Sequence, residues 1–281
     1  MNKTTVVLLT MVAMIAFAAN SLLCRIALRG GHIDAASFTL VRLAAGALML
    51  GLIVHLRAGG IVRHGSWRSA FALFTYAAGF SFAYLSLPAA AGALLLFGAV
   101  QATMIGYGLW RGERLGVVPA AGVILAGAGL VGLLLPGLSA PPLAGSLLMI
   151  VAGIAWGVYS LRGRGSTDAT ASTAGNFIRA LPFVAALSLI MLPQAAMDVV
   201  GLGYAIASGA LASGLGYAVW YSALPGLRAT SAATVQLSVP VIAALGGSVF
   251  LDEAITPRLV LAAVAVLGGI TLVITARKTA K

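Results

Sequence analysis

The sequence predicts an all-α integral membrane protein: ten transmembrane helices, arranged as two inverted five-helix repeats, with both termini in the cytoplasm. Three observations lead there. Only 8% of the 281 residues are charged, 61% are hydrophobic, and mean hydropathy is +1.06; a soluble domain holds about a quarter charged residues. Uncharged stretches are long enough to cross a bilayer, which takes about 20 residues each. The two halves also align at an offset of 137 residues.

The elements follow in order from the gaps between charges. Residues 4–26 form the first span, opening after Lys3. Residues 34–56 form the second, interrupted by Arg42. The 42 uncharged positions 69–110 hold two spans, 67–87 and 89–110, hinged at Leu87-Pro88. Positions 115–161 hold two more, 115–135 and 143–162, divided by the run Pro-Gly-Leu-Ser-Ala-Pro-Pro at 136–142, which no helix can cross. The rest are 172–193, interrupted by Arg179, then 199–222, 229–250 and 258–276. The first span also has the outline of a signal peptide, with Ala16-Phe17-Ala18 as a cleavage site. Because it takes part in the repeat, it is assigned to the mature fold.

A net charge of +11 invites a nucleic-acid reading, but the basic residues are strewn singly rather than gathered in a patch. No nucleic acid is expected as a partner; the charge reads as topology. Twelve basic residues fall on the side of the termini (Lys3, Arg57, Arg63, Arg68, Arg111, Arg114, Arg162, Arg164, Arg228, Arg277, Lys278, Lys281), against three opposite, Arg25, Arg29 and Arg258. By the positive-inside rule the termini are cytoplasmic. Cys24 stands alone and makes no internal disulfide.

At the offset of 137, Arg42 falls on Arg179, Gly79 on Gly216, Tyr84 on Tyr221 and Leu87-Pro88 on Leu224-Pro225; after a slip of three, Glu113 falls on Glu253. The units are 1–136 and 137–281. Five spans is an odd number, so the second unit enters the membrane from the other side. That is the inverted-repeat design of alternating-access carriers, whose substrate sits between the units.

These residues carry a resemblance. Val41-Arg42-Leu43-Ala44-Ala45-Gly46, Ala155-Trp156-Gly157-Val158-Tyr159, and the corners Arg111-Gly112-Glu113-Arg114-Leu115 and Leu251-Asp252-Glu253-Ala254-Ile255 resemble the drug/metabolite transporter superfamily, in its ten-helix EamA-type branch. Within that branch the chain looks most like the YddG-type exporters of aromatic amino acids. The resemblance implies a carrier of the bacterial inner membrane that exports amino acids, aromatic and other neutral ones, or related metabolites. Its partners are the bilayer and a small-molecule substrate, and it is not an enzyme. The same fold also carries drugs, nucleosides and other metabolites. An integral-membrane lipid enzyme would need clustered acids or histidines near an interface, and the sequence offers none. No cofactor and no metal is expected, and oligomeric state is not legible.

Candidate substrate contacts come from aromatic and amide residues inside the spans. Tyr76, Phe80 and Tyr84 recur every four residues, sharing one helix face. Tyr217 and Tyr221 match them in the second unit, with Trp220 beside them; Trp156 and Tyr159 lie three apart. Rings lining a cavity stack on a flat cargo, although membrane aromatics also fill interfacial belts. Asn20, Gln101 and Gln236 are amides that must face protein or a wet cavity, since an unpaired amide in hydrocarbon is costly. Arg42 and Arg179 are deep charges. Either they meet a cargo carboxylate, or they form fixed structural contacts with Glu113, Glu253 or free backbone carbonyls; their symmetric placement favours the second. Pro88 and Pro225 are candidate hinges. Gly153-x-x-x-Gly157 and Gly209-x-x-x-Ser213 are expected to let helices approach closely.

Overall fold

A computed structural model of the chain describes residues 2–58, 64–112, 114–137, 140–164, 166–227 and 229–276. They form ten helical rods and, apart from a single antiparallel bridge between Ile33 and Met197, no β-structure among the described residues. The rods are α1 (Lys3–Arg29), α2 (Ala35–Ala58), α3 (Trp67–Ala83), α4 (Ala89–Trp110), α5 (Val117–Leu134), α6 (Leu143–Gly163) and α7 (Ala169–Ile190). Two composite rods and a last single helix complete the set. α8 joins Val199–Ile206, a π-helical segment Ala207–Leu215 and Gly216–Ala223; α9 joins Ala229–Gln236 and Ser238–Leu251; α10 is Pro257–Ala276. Among the described residues nine rods are long and apolar enough to cross a membrane, and α3, with 17 residues, falls just short. The protein is a multi-pass membrane protein.

Helix starts follow local chemistry. The side chains of Asn2, Ser66, Asp168 and Asp198 accept hydrogen bonds from the backbone N–H groups of Thr5, Ser69, Ala171 and Gly201, so α1, α3, α7 and α8 are all capped. Asp34 does the same for Ala36 and Ser37 at the start of α2. Such caps satisfy N–H groups that have no partner inside the helix.

Two rods depart from the expected single helices, each for a stated reason. Pro240 cannot donate to the carbonyl of Gln236 and its ring crowds that oxygen, so α9 breaks at Leu237. In α8 the π-helical turn is built from Ala, Ser, Gly and Leu, where small side chains let it lie against α2: a Cβ on Gly209 would come within 2.2 Å of the Arg42 carbonyl oxygen. The third helix ends earlier than expected, at Ala83, and the chain reaches Pro88 through a short turn.

Large apolar side chains such as Leu48, Val249, Phe250, Leu261 and Val264 point outward around the bundle. Lipid receives them, and the helices themselves satisfy the backbone polar groups. Inside, α5 packs along α10, α2 along α7, and α6 against both α3 and α4. Because lipid supplies no hydrophobic drive between helices, close backbone approach matters. At α5 and α10, Gly122 and Gly269 face one another so tightly that a Cβ on either would lie within about 2.5 Å of the other's carbonyl. Gly153 and Gly157 similarly admit Ala99 and Thr103 of α4. The glycine spacing expected to permit close approach does so at both positions.

Candidate functional site

A cavity of about 530 Å³ lies between α1, α3, α4, α6, α7, α8 and α9. It reaches the α6–α7 corner through Gly163, Arg164 and Ser166, and the α8–α9 corner through Leu224, Ala232 and Ala233. Both corners lie at the end of the bundle where α1 begins; Gly226, for example, packs on Val6.

Its wall is aromatic. Trp156 on α6 stacks on Tyr159, with centroids 5.1 Å apart and planes at 21°, and on Tyr217 of α8, at 5.4 Å and 18°. Tyr76 of α3 meets Trp156 at 4.7 Å, and Phe80 continues the wall beyond Tyr76. Tyr221 and Trp220 also line the cavity. Phe17 of α1, which the sequence reading passed over, closes the wall at 5.6 Å from Tyr217 and 6.1 Å from Trp220. An isolated phenylalanine in an apolar run carries no periodic signal, so only tertiary contact reveals it.

Two polar networks hold these rings in place. Ser208 of the π-helical turn donates to Asn20 Oδ1 at 2.6 Å, and Asn20 Nδ2 donates to the Tyr76 hydroxyl at 3.3 Å. Asn176 Nδ2 donates to the Tyr159 hydroxyl at 3.3 Å, and Thr173 links Tyr159 to Tyr221 at 3.4 and 3.3 Å. The side-chain Oδ1 of Asn176 accepts the N–H of Ser66, just before α3. Asn176 was also absent from the sequence candidates, though it satisfies the criterion that selected Asn20, an amide within a span. Gln101 and Gln236 both line the cavity, and their side-chain amides make no hydrogen bond among the described residues.

Tyr84 does not reach the cavity. It is fully buried beside Gly92, its ring edge-on to Phe80 at 4.8 Å, and its hydroxyl donates to the Ala89 carbonyl. Tyr84, the C-cap of α3, keeps a helical conformation and stays in line with Phe80, but it lies at the end of the helix near Arg25, beyond the reach of the cavity and packed against α4. Pro88 is the N-cap residue of α4, and Pro225 sits in the short turn Leu224–Gly226 that ends α8, so both occupy corners.

The deep charges part company. Arg179 donates from Nη1 to the carbonyls of His64, at 2.7 Å, and Gly175, at 3.0 Å; this is the backbone contact anticipated as one alternative. Glu253 meets neither arginine of the repeat. It pairs with Arg25, Nε to Oε1 at 3.0 Å, while Arg25 Nη1 donates to the carbonyls of Tyr84 and Leu85. Glu113 lies outside the described residues. Arg42 is 1% exposed, and its Nε and Nη1 have no hydrogen-bond partner among the described residues. Its guanidinium carbon sits 4.8 Å from the Phe80 ring centroid and 5.2 Å from that of Tyr76. Cation–π contact contributes about 0.5–2 kcal/mol, well short of the several kcal/mol it costs to strip a charge of water.

The opposite end of the bundle is closed by three contacts. The first is the Arg25–Glu253 pair. The second is Arg29, which donates to the Leu251 carbonyl. The third joins the α1–α2 and α7–α8 connections: Asp34 and Ala196 exchange hydrogen bonds, Asp198 N–H donates to His32, and the His32 ring meets the Asp198 carboxylate at 2.8 Å. A smaller cavity of about 220 Å³, lined in part by Ser86, Pro88, Leu133 and Glu253, lies at that end.

Comparisons with known proteins agree with this architecture. Residues 143–275 match the EamA-like transporter family. An "Uncharacterized protein PA1977" of Pseudomonas aeruginosa is 59% identical over 271 residues, covering 96% of this chain and 94% of that protein. A crystal structure covers 100% of both chains at 19% identity with a TM-score of 0.68, which establishes a shared fold.

Proposed function

We propose that this chain, whose residues 143–275 match the EamA-like transporter family, is a membrane transporter of small molecules that exports amino acids, aromatic and other neutral ones, across the bacterial inner membrane by alternating access. The observation that carries this reading is the stack Tyr159–Trp156–Tyr217 on the wall of a 530 Å³ cavity. Offset-stacked rings bind flat apolar groups and tolerate several ring types. Amides at Gln101 and Gln236 supply donors and acceptors for the polar end of such a cargo.

Alternating access is supported by the asymmetry of the two ends. The cavity opens toward the α6–α7 and α8–α9 corners, while ion-paired and backbone contacts shut the far end. With the termini cytoplasmic, as the charge bias implies, this is a cargo-loading state that faces inward. Two units, 1–136 and 137–281, rocking about Pro88 and Pro225 would exchange which end is open. In this reading the aromatic wall belongs to both units, Tyr76 and Phe80 to one and Trp156, Tyr159, Tyr217, Trp220 and Tyr221 to the other. The YddG-type exporters are the subtype this reading favours.

The test is transport by purified protein in liposomes. Labelled tryptophan and phenylalanine are expected to exchange against internal unlabelled amino acid faster than in empty liposomes. Equal rates with and without protein would overturn the reading.

A further inference from the structure

Building on the transport reading, we infer that the cargo is recognised by a carboxylate rather than by an amino group, so that this transporter takes aromatic carboxylates with or without an α-amine. Arg42 supplies the charge and Ser213 the contact.

Arg42 and Ser213 contain all the buried side-chain nitrogen and oxygen atoms that lack a hydrogen-bond partner among the described residues. Ser213 lines the cavity directly, from the π-helical segment that also carries Gly209, the residue packed on the Arg42 backbone. Arg42 stands one layer behind, its guanidinium against the rings of Tyr76 and Phe80, which are themselves part of the wall. A buried donor left empty in the resting protein is a place where a ligand acceptor gains most.

The repeat sharpens the point. Arg179, at the matching position, spends its donors on the carbonyls of His64 and Gly175. Glu253, one of the two glutamates expected as a partner for the deep arginines, is engaged instead with Arg25. One position of the pair is a satisfied structural contact, and the other is an unspent charge beside the cavity.

The cavity offers an ammonium group far less. Among the described residues no Asp or Glu lines it, and Arg164 adds a second cation at its mouth. The amide oxygens of Asn20 and Asn176 already accept from Ser208 and Ser66. What remains for an ammonium is ring faces, neutral hydroxyls such as that of Ser160, and the neutral amides of Gln101 and Gln236, none of them a full negative charge. The local field therefore favours the anionic end of a zwitterion.

The experiment is equilibrium binding of three compounds with one ring system to the purified full chain: indole-3-propionate (carboxylate only), tryptophan (both groups) and tryptamine (ammonium only). Indole-3-propionate and tryptophan are expected to bind within about threefold of each other, and tryptamine roughly tenfold or more weaker, the size of one charge-assisted contact. Arg42→Gln should collapse that preference, and Arg42→Lys, which keeps the charge, should retain part of it. The wild-type series needs no variant and so stands even if Arg42→Gln fails to fold. Tryptamine binding as tightly as tryptophan would overturn the inference, as would Arg42→Gln weakening all three equally. If aromatic amino acids bind without discrimination by charge, this inference falls and the transport reading stands. If none of the three binds, both fall.

Discussion

Glu253 and Arg25, 228 residues apart in sequence, join α1 to the end of α9 at the closed face of the bundle, with Nε and Oε1 3.0 Å apart. The second carboxylate oxygen of Glu253 accepts the Ala89 N–H at 2.7 Å, in the first turn of α4. Asp252 makes this possible by adopting a left-handed conformation, φ 52°, which ends α9 and turns the next side chain back over the helices. One carboxylate thus ties three helices together. The helix N-terminus of α4 adds favourable partial charge to the contact.

Replacing Glu253 with Gln removes the ion pair and leaves the Arg25 cation with backbone carbonyls alone. A charge-assisted contact contributes about 1–3 kcal/mol, enough to shift an open-to-closed ratio roughly fivefold to a hundredfold. In a Cys24→Ser background, a cysteine at Ser86, which lines the small cavity beside Glu253, should be labelled faster by a membrane-impermeant thiol reagent once Glu253→Gln is added. Unchanged labelling would mean that the pair does not hold this end shut.

Tyr84 and Trp156 should respond differently to truncation. Trp156→Ala removes the centre of the ring stack and should weaken aromatic cargo more than small aliphatic cargo, read as a change in the ratio of their apparent affinities. Tyr84→Ala empties a fully buried site and should cost about 3–5 kcal/mol of stability, seen as a lowered melting temperature. Its effect on the affinity ratio should be small. Tyr84→Phe, which loses only the bond to Ala89, should cost about 0.5–1.5 kcal/mol.

The glycine pair between α5 and α10 has no room for a side chain. Gly122→Val would drive methyl groups into the Gly269 carbonyl and Val273 and should lower stability by about 1–3 kcal/mol or more. Gly127, which faces open space, is the control: Gly127→Ala should leave the melting temperature unchanged or raise it slightly.

Acid should loosen the closed end. Hydrogen bonds from the Gly201 backbone and from His32 hold the Asp198 carboxyl below its ordinary value of 3.8. At Asp34 burial works upward, but the bonds from Ser37, Ala196 and Ala36 together outweigh it and the net shift is also downward. A group whose folded value is depressed stabilises the fold above its unfolded value and loses that contribution as pH falls through the folded one. The melting temperature should therefore fall as pH drops below about 4. Asp34→Asn with Asp198→Asn should flatten that fall, and an unaltered slope would locate the acid sensitivity elsewhere.

Much of the fold was legible because the bilayer imposes one rule on every span, an uninterrupted apolar run closed by polar or helix-breaking residues. The corner at 136–142 and the paired Leu-Pro dipeptides marked boundaries to within a few residues. The break at Leu237 departs from the single span expected over 229–250, although Pro240, through the carbonyl it leaves free, carries its signal. The π-helical turn was not, because Ala, Ser and Gly suit an ordinary helix equally well and only the approach of α2 distinguishes the two. Among the candidate site residues, Tyr76, Phe80, Trp156, Tyr159, Tyr217, Trp220, Tyr221, Asn20, Gln101 and Gln236 converge on one cavity. Tyr84 continued their spacing and still lies beside Phe80, yet it misses the cavity, since spacing identifies a helix face but not how far along that face a cavity extends.

What the sequence determined by itself was the class of the molecule and which side chains were too polar or too large to face lipid. A charge or an amide inside a span is expensive enough to declare itself wherever it occurs. What only the tertiary structure decided was the partner each of them finds. Arg42 and Arg179 hold matching positions in the sequence, but Arg179 reaches the carbonyls of His64 and Gly175 while Arg42 is left behind the rings of Tyr76 and Phe80, its Nε and Nη1 without a partner among the described residues. Burial cost is set by residue type, which a sequence states outright; its compensation is set by contacts between helices far apart in the chain, which only folding brings together.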